Sequence, residues 1–302
     1  MEFKKGRTGG LIIIMVAAMV GFVLAGPAWA NVCETKYAEI RERILSGGPP
    51  KDGIPAIDDP KYLAGSESDL ADEAQVIGLD FNGFVAAYPL KIMVWHEIVN
   101  EEINGQKISL TFCPLTGTAI GYLGYNLGVS GKLYNSNLVM YDRATDSIAP
   151  QITGRFIAGE RCDEDPKFFP LTVTTWKQWR EKHPRSLVLS TQTGHARDYT
   201  RDPYADYYQS PKVWFPLTAE SQALNPKEIV LGIEHQGRAL AVVKKDFNRN
   251  HPQGLEVRIG DLKLKLTYDP DLNRIVPDKE VKHFEGYWFA WYAFHPQTEL
   301  KM

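Results

Sequence analysis

Hydrophobic residues predominate, in the manner of buried β-strands, in two separate stretches, residues 76–89 and 230–243. In each stretch an apolar run ends at a two-residue turn, Asn-Gly in the first and Gln-Gly in the second, and another apolar run follows. Two such runs joined by two turn-forming residues are the signature of a β-hairpin. The pattern therefore predicts one hairpin beginning near residue 76 and another beginning near residue 230.

The two hairpins belong to an internal repeat. Residues 76–83 (VIGLDFNG) are echoed by residues 230–237 (VLGIEHQG) at a separation of 154. Further along, residues 108–114 (ISLTFCP) are echoed by residues 264–270 (LKLTYDP) at a separation of 156. Repetition at a nearly constant spacing indicates a diverged duplication. We therefore expect a β-rich α+β fold built from two related β units, with a few helices between them.

The two copies differ at one informative position, since Asp269 stands in the second where Cys113 stands in the first. If both copies share one backbone, that backbone does not require the thiol. This difference favours a role for Cys113 in chemistry or ligand binding. Drift of an old duplication under packing pressure alone is the alternative.

Three other segments have helical or aromatic patterns. Residues 35–45 place apolar side chains at helical spacing, and residues 172–183 do the same, with Thr175 as a plausible N-cap. Residues 287–296 form a dense aromatic run. We expect that run to be buried against the sheets as a strand or a short helix.

The first thirty residues have the pattern of a secretory signal. Lys4, Lys5 and Arg7 precede an apolar stretch at 11–24, and a small-x-small cleavage motif occupies residues 28–30 (AWA). We expect cleavage after position 30, no stable membrane span afterwards, and a periplasmic or extracellular location. A retained membrane anchor is the alternative, but the apolar stretch is short for a spanning helix and a clear cleavage site follows it.

These patterns divide the chain into a cleaved signal, an N-terminal helix and loop, and a single domain made of two β units separated by an insertion and followed by an aromatic tail. The predicted bounds are 1–30 for the signal, 31–75 for the helix and loop, and 76–302 for the domain, with 76–122 as the first β unit, 123–229 as the insertion, 230–278 as the second β unit and 279–302 as the tail.

Composition narrows the class of partner. The formal net charge of the chain is −3, and no basic run follows the signal. Neither a nucleic-acid footprint nor a patch for anionic membranes is evident, so we expect a small molecule or an envelope protein as the partner and no nucleic acid. Hydrophobic residues make up 44% of the chain, which is enough for a sizeable core.

The three cysteines also restrict the chemistry. An odd number in an oxidising compartment leaves at least one thiol unpaired. Cys33 and Cys162 lie in segments typical of surface staples and are candidates to bond to each other, although the sequence leaves their pairing open. We expect Cys113 to be the free thiol.

Five motifs carry a resemblance to a known family. They lie at residues 95–100 (WHEIVN), 112–118 (FCPLTGT), 130–143 (SGKLYNSNLVMYDR), 288–291 (WFAW) and 293–298 (AFHPQT). Together they resemble the uncharacterised prokaryotic domain-of-unknown-function family 3179. The resemblance implies shared fold relatives and no particular activity.

One departure from the family pattern bears on the chemistry. Members of the family usually have Cys-Pro-Leu-Cys-Gly-Thr, and here Thr116 replaces the second cysteine. A single thiol cannot close its own disulfide, so dithiol chemistry at Cys113 is excluded. Monothiol chemistry, or metal ligation together with histidine, is left open.

Cys113 is therefore the first candidate site residue, as a soft metal ligand or a nucleophile. His96 is the candidate nitrogen ligand or base, and Gly117 and Thr118 would supply backbone amides that lower the pKa of the thiol. A buried structural cysteine and a histidine satisfied by a backbone carbonyl are the alternatives.

The segment after the corner supplies further candidates. Strand alternation would place Asn135, Asn137 and Tyr141 on one face as a hydrogen-bonding wall that binds and orients a ligand. Asp142 and Arg143 complete the candidate ligand-binding set, or form a turn and an ion pair. An internal polar network is the alternative for the whole segment.

A metal site would take its ligands from Cys113, His96 and His295. Copper or zinc is the transition metal that these donors suit. Protease-type zinc motifs, a nucleotide-binding loop and a hydrolase nucleophile elbow are absent from the sequence.

Two functional hypotheses follow. The first is an exported protein with a ligand, metal or monothiol redox site around Cys113. The second is a non-catalytic binding or scaffold module of the cell envelope, in which the same motifs are core packing. Whether the protein is an enzyme is left open.

Overall fold

The computed structural model describes Met1, Cys33 and residues 35–302. Apart from Met1, the predicted signal peptide lies outside the described residues. About 39% of the described residues are in strands and 15% in helices, so the expected β-rich architecture with few helices is confirmed. Within the described part, every helix falls short of the length and apolar character needed to span a bilayer.

The strands are short and run through the whole described chain. Their bounds are β1 Leu45–Ser46, β2 Tyr62–Ala64, β3 Gln75–Phe81, β4 Phe84–Pro89, β5 Ile98–Ile103, β6 Gln106–Cys113, β7 Thr118–Leu123, β8 Leu127–Tyr134, β9 Asn137–Asp142, β10 Ile148–Pro150, β11 Phe168–Pro170, β12 Thr172–Thr175, β13 Leu187–Leu189, β14 Ile229–His235, β15 Arg238–Val243, β16 Leu255–Ile259, β17 Leu262–Asp269, β18 Arg274–Pro277, β19 Lys282–Tyr287 and β20 Glu299–Lys301.

The described helices are equally short. They are α1 Ala38–Glu42, α2 Leu90–His96, α3 Trp176–Lys182, α4 Ala205–Gln209, α5 Phe247–Asn250 and α6 Trp288–Phe294, with one 3₁₀ turn at Gly65–Glu67.

The strands form five sheets, arranged as the five blades of a β-propeller. The strand orders are β1-β8-β9-β10, β11-β7-β6-β5, β12-β3-β4-β13-β2, β19-β14-β15-β20 and β16-β17-β18. Two of these sheets depart from a simple antiparallel meander, because β13 pairs with β4 and β20 pairs with β15 in parallel.

Both predicted hairpins are confirmed. Strands β3 and β4 pair in antiparallel register from Val76 and Pro89 down to the last pair, Phe81 and Phe84, across a two-residue turn. Strands β14 and β15 pair in the same way across the turn at 236–237. All four turn residues have positive φ angles, between 48° and 82°, as a type I′ turn requires.

The two sheets with parallel strands share one topology. Strands β12, β3, β4 and β13 occur in the same order as β19, β14, β15 and β20. In each sheet the outer strands are joined by a crossover helix, α3 in the first and α6 in the second. The two strands that each helix joins run parallel to each other on either side of the central antiparallel pair, so the connection has to cross the face of the sheet.

Each crossover helix is fixed by a tryptophan that covers a glycine of the central strand. A Cβ atom at Gly78 would stand 2.1 Å from the Trp179 ring, and one at Gly232 would stand 2.1 Å from the Trp291 ring. Each indole also stacks on a histidine of its own helix end, with ring centroids 4.2 and 4.1 Å apart. The absence of a side chain at the glycine is what allows the helix to approach the sheet.

The helix predictions were correct in part. Thr175 is the N-cap of α3, and its hydroxyl accepts a hydrogen bond from the backbone N–H of Gln178 at 3.2 Å. The preceding residues 172–175 are a strand instead, because they pair with β3. The aromatic tail contains the buried helix α6, and the N-terminal helix spans Ala38–Glu42.

Cys33 and Cys162 form a disulfide, and Cys113 is the free cysteine. The disulfide ties the N-terminal helix region to the loop after β10. The large hydrophobic cores lie on either side of strand β6, because Phe112 belongs to one cluster and Cys113 to the other. Strand β6 therefore separates the two hydrophobic cores, and the candidate site lies at its C-terminal end.

Candidate functional site

The corner between β6 and β7, residues 113–118, is shaped by its turn. Cys113 and Thr118 are the last paired residues of the two strands, and Gly117 in the connecting loop has a φ of 64°. Glycine adopts that conformation without steric cost. The corner between β17 and β18 has the same geometry, since Asp269 pairs with Arg274 and the intervening residue 273 has a φ of 50°.

The β6–β7 corner packs against β19, the edge strand of the second sheet that has a crossover helix (β19-β14-β15-β20). We call the two sheets with crossover helices the first and the second crossover sheet. The backbone N–H of Tyr287 donates to the carbonyl oxygen of Thr116 at 2.9 Å. The Tyr287 ring lies over the corner, and a Cβ atom at Gly117 would stand 3.0 Å from its Cζ. The other corner docks on β12 of the first crossover sheet, where Arg274 Nη1 donates to Thr172 Oγ1 at 2.7 Å.

Cys113 is buried behind this corner, with 1% of its surface exposed. Its Sγ accepts a hydrogen bond from the backbone N–H of Leu138 at 3.4 Å and lies 4.0 Å from the carbonyl oxygen of Ser136. The expected lowering of the pKa is wrong. Burial and the nearby Glu97 raise the pKa of the Cys113 thiol to about 11, because the amide hydrogen bonds do not offset the loss of solvation.

Glu97 is a second buried titratable group beside this thiol. It ends helix α2 in the left-handed conformation, with a φ of 58°, which is rare for a residue with a side chain. Burial raises the pKa of its carboxyl to about 8, and the Tyr204 hydroxyl lies within hydrogen-bonding reach. Glu97 and Cys113 are therefore both largely protonated at neutral pH.

His96 is fully buried, and both of its ring nitrogens are in use. Nδ1 lies 2.7 Å from the carbonyl oxygen of Pro55, and Nε2 lies 2.7 Å from the Tyr199 hydroxyl. Burial lowers the pKa of His96 to about 4, so the ring is neutral near pH 7. With both nitrogens occupied, His96 is held as a structural hydrogen-bonding group.

His295 lies at the end of α6, where its ring stacks on Trp291. Burial lowers its pKa to about 4, and its electrostatic neighbours are Glu234 and Lys282. In the part of the chain that the structure describes, no three His, Cys, Asp or Glu side chains are grouped as metal ligands. Cys113, His96 and His295 therefore do not form such a group.

Asn137 and Thr118 lie together in a buried polar network next to Cys113. Asn137 Nδ2 donates to Thr116 Oγ1 at 3.1 Å and to Gln151 Oε1 at 2.9 Å, and its Oδ1 accepts from the backbone N–H of residue 152. The Thr118 hydroxyl donates to Gln151 Oε1 at 2.7 Å. The network holds the corner and strand β9 together with its polar groups satisfied.

Asn135 does not share the face of strand β9 as the alternation predicted. With Ser136 it forms the turn between β8 and β9, and both residues have positive φ angles. Its side chain donates to the carbonyl oxygen of Ala293 and accepts from the backbone N–H of Thr218 at 2.8 Å. Turn geometry took Asn135 out of the strand, where it anchors α6 and the preceding loop.

Tyr141, Asp142 and Arg143 lie elsewhere in the fold. The Tyr141 hydroxyl donates to Asp52 Oδ2 at 2.6 Å. Asp142 and Arg143 do not pair with each other, because Asp142 binds the guanidinium of Arg161 at 2.8 Å and Arg143 pairs with Asp58 at 3.2 Å. These three residues connect the end of strand β9 to the loops that contain Asp52, Asp58 and Arg161.

A cavity of about 510 Å³ opens on the other side of the corner. Its walls are mostly apolar and aromatic, and they include the Phe112, Tyr208 and Tyr287 side chains together with Gly117. Cys113 is absent from its walls, because successive residues of β6 point to opposite faces. The remaining wall residues are Leu70, Ala74, Gln75, Pro89, Leu90, Lys91, Val173, Tyr199, Thr200, Arg201, Asp202 and Ile229.

Four of the predicted site residues, Cys113, Gly117, Thr118 and Asn137, lie close together in the structure. The sequence analysis did not identify the tyrosines around them. Tyr204, Tyr207 and Tyr208 of the long segment between β13 and β14 cover the corner, and the Tyr207 hydroxyl donates to the carbonyl oxygen of Leu115 at 2.9 Å. The density of tyrosines in an otherwise polar segment is the signal that could have identified them.

A protein-family model described as "Protein of unknown function (DUF3179)" matches residues 51–282. The match contains the corner, the buried network and most of the cavity wall. No curated protein and no solved structure gives a significant match.

Proposed function

The chain belongs to this family of proteins of unknown function, and we propose from its own residues that it is an exported, non-catalytic binding protein for a small molecule with an apolar body. The binding site is the cavity lined by Phe112, Gly117, Tyr208, Tyr287 and Ile229. We call it the corner cavity below.

The observation that carries this proposal is the corner cavity itself. Its volume of about 510 Å³ lies in the range of small-molecule sites, and apolar and aromatic side chains dominate its walls. A few polar groups, among them Gln75 and Thr200, face the same space and could fix the orientation of a ligand. Such a site binds by excluding water from apolar surface.

The side chains predicted to carry chemistry support binding more than catalysis. The Cys113 thiol is protonated at neutral pH and closed to solvent, and a protonated thiol is a poor nucleophile and metal ligand. Both His96 nitrogens are occupied by hydrogen-bonding partners. In this proposal Cys113 and the network around Asn137 keep the buried side of the corner rigid. The opposite side, which lines the corner cavity, binds the ligand.

We further propose that the protein works in the periplasm or outside the cell. The signal pattern of the first thirty residues supports export. The disulfide between Cys33 and Cys162 also supports an oxidising compartment, because such bonds rarely persist in the cytosol.

We also infer that the two crossover sheets and the hairpins attached to them descend from one duplicated unit. Three independent features support this inference. The sheets share one strand order, each crossover helix places a tryptophan over a glycine, and each β-corner has a proline after its first paired residue and a positive φ before its last. The corner cavity lies between the two units, since Gln75 and Ile229 are equivalent positions of the repeat and both line it.

The binding proposal is tested with N-phenyl-1-naphthylamine, an uncharged aromatic probe whose fluorescence rises in apolar surroundings. We expect saturable binding to the purified mature protein. The variant Ile229→Trp fills the cavity mouth and should weaken that binding by about tenfold or more, equivalent to about 1.4 kcal/mol.

The matched control is Leu63→Trp. Leu63 and Ile229 are both exposed apolar strand residues, at 38% and 41%, and only Ile229 lines the corner cavity. The control should bind the probe like the natural protein. Absence of saturable binding, or equal losses in both variants, would overturn the proposal.

A further inference from the structure

The corner cavity adjoins a second cleft, of about 770 Å³. Four residues line both spaces: Gln75, Gly117, Val173 and Ile229. These shared walls place the two spaces side by side.

The cleft differs in chemistry from the corner cavity, since seven of the sixteen residues that line it are charged. The cations are Lys227, Lys244, Lys245 and Arg249, and the acids are Glu228, Asp246 and Glu285. Lys244 is paired with Glu285 at 2.6 Å and Arg249 with Asp246 at 2.9 Å. These two pairs neutralise themselves.

Lys227 and Lys245 form no ion pair with any residue in the described part of the chain, and Glu228 likewise has none there. The ammonium of Lys227 is held in place, because it donates to the carbonyl oxygens of Tyr207 and Ser210 and lies 3.3 Å from the centroid of the Tyr207 ring. Carbonyl oxygens and a ring leave its full positive charge uncancelled. The cleft therefore contains two cations outside any ion pair, Lys227 and Lys245, and one such acid, Glu228.

The corner cavity has the same excess. Lys91 and Arg201 line it together with a single acid, Asp202. An apolar space with an excess of positive charge around it is complementary to a molecule that has an apolar body and one negative group.

We propose that the natural ligand is an anionic amphiphile, in which an apolar body occupies the corner cavity and a carboxylate, sulfate or phosphate group extends into the cleft toward Lys227 and Lys245. This inference rests on the proposed binding function and adds the chemical class of the ligand. The fixed charge of Lys227 attracts an anion electrostatically, and the ammonium of Lys245 can donate a charge-assisted hydrogen bond to it, which is stronger than a neutral one.

Two probes with the same rings test the charge directly. N-Phenyl-1-naphthylamine is uncharged, and 8-anilinonaphthalene-1-sulfonate has the same ring system with one added sulfonate. We expect the sulfonate to bind more tightly by on the order of fivefold to tenfold at low salt, and the advantage to shrink as added salt screens the charges.

Variants locate the effect. The double variant Lys227→Met with Lys245→Gln should abolish the advantage of the sulfonate, measured as the ratio of the two affinities within that variant, so that any loss common to both probes cancels. Lys107→Gln removes an exposed lysine of β6 that lines neither space, and it should keep the advantage.

Equal affinity for the two probes, or an advantage that survives the double variant, would overturn this inference while binding of the uncharged probe still supports the corner cavity. Failure of the uncharged probe to bind at all would instead overturn the proposed function. Far-ultraviolet circular dichroism and unfolding of each variant would show that it is folded.

Discussion

The indole ring of Trp291 lies directly on Gly232, so that a Cβ atom at this glycine would stand 2.1 Å from the ring carbon Cε3. Trp179 and Gly78 are related in the same way in the other crossover sheet. Such contacts leave no room for a methyl group, and buried tryptophan rings on helices cannot move aside without displacing the helix.

Alanine at either glycine should therefore destabilise the protein. For Gly232→Ala and for Gly78→Ala we expect a loss of about 2–4 kcal/mol in the free energy of unfolding, measured by chemical denaturation. The control is Gly237→Ala, where a Cβ atom meets nothing within 4 Å and the cost is the positive φ alone, about 1 kcal/mol. Equal costs at positions 232 and 237 would contradict the packing argument.

The buried network around Asn137 predicts a contrast between two neighbouring residues. Asn137→Ala leaves the buried backbone N–H of Ile152 without a partner and removes one hydrogen bond each from Thr116 and Gln151, so we expect a loss of about 2–4 kcal/mol in stability. Ser136→Ala removes a buried hydroxyl that has no hydrogen-bonding partner, and it should change stability by less than about 0.5 kcal/mol or increase it. Thermal and urea unfolding of the two variants would measure the difference, and a larger loss at Ser136 would count against it.

The Cys113 thiol should be inert in the folded protein. Burial and a pKa of about 11 keep it protonated and inaccessible at pH 8. We expect 5,5′-dithiobis(2-nitrobenzoate) to react with less than one thiol per chain on the time scale of minutes under native conditions, and with one thiol at once in guanidinium chloride. Fast reaction of the native protein, absent in Cys113→Ser, would instead favour the monothiol chemistry considered from the sequence.

Glu97 should make the protein less stable as the pH rises from acidic to neutral values. The pKa of its carboxyl is raised in the folded state from 4.5 to about 8, so the folded state holds a proton that the unfolded state releases. The stability gained from that proton is complete below pH 4.5 and is lost as the pH rises through 8.

The variant Glu97→Gln has no proton to lose, and its stability should decline less than that of the natural protein between pH 5 and pH 8. Each unit of pKa difference corresponds to about 1.4 kcal/mol. Unfolding by urea at several pH values measures the slope, with Glu102→Gln as the control, because Glu102 is an exposed residue of the strand β5 that follows Glu97. Parallel slopes for all three proteins would show that Glu97 is solvated after all.

The corner between β6 and β7 illustrates how far the sequence reached. The chemistry of residues 112–118 and the repeat at 264–270 pointed to one place in the chain, and that place does lie beside a cavity. The sequence could not predict which side of β6 lines the cavity, because a hydrophobic core lies on each side of this strand. Cys113 and Phe112 are neighbours in the chain and face opposite cores.

The partners of His96 show a second limit. The sequence identified a histidine with metal-binding potential, and it left open whether a carbonyl satisfied the ring. Pro55 and Tyr199 hold its two nitrogens from 41 and 103 residues away. Contacts at such separations depend on how sheets and loops pack, which no local pattern records.

By itself, the sequence determined the elements whose causes are local: both hairpins, because turn residues that tolerate positive φ are flanked by apolar runs, the N-cap at Thr175, and the free thiol at Cys113 among three cysteines. Only the tertiary structure decided which side chains meet. In the folded protein that thiol is buried, Asn135 lies in a turn and Tyr141 contacts Asp52. Gly117, Tyr287 and Ile229 line one cavity. These outcomes depend on the packing of all the sheets together, because that packing sets burial, solvation and long-range contacts.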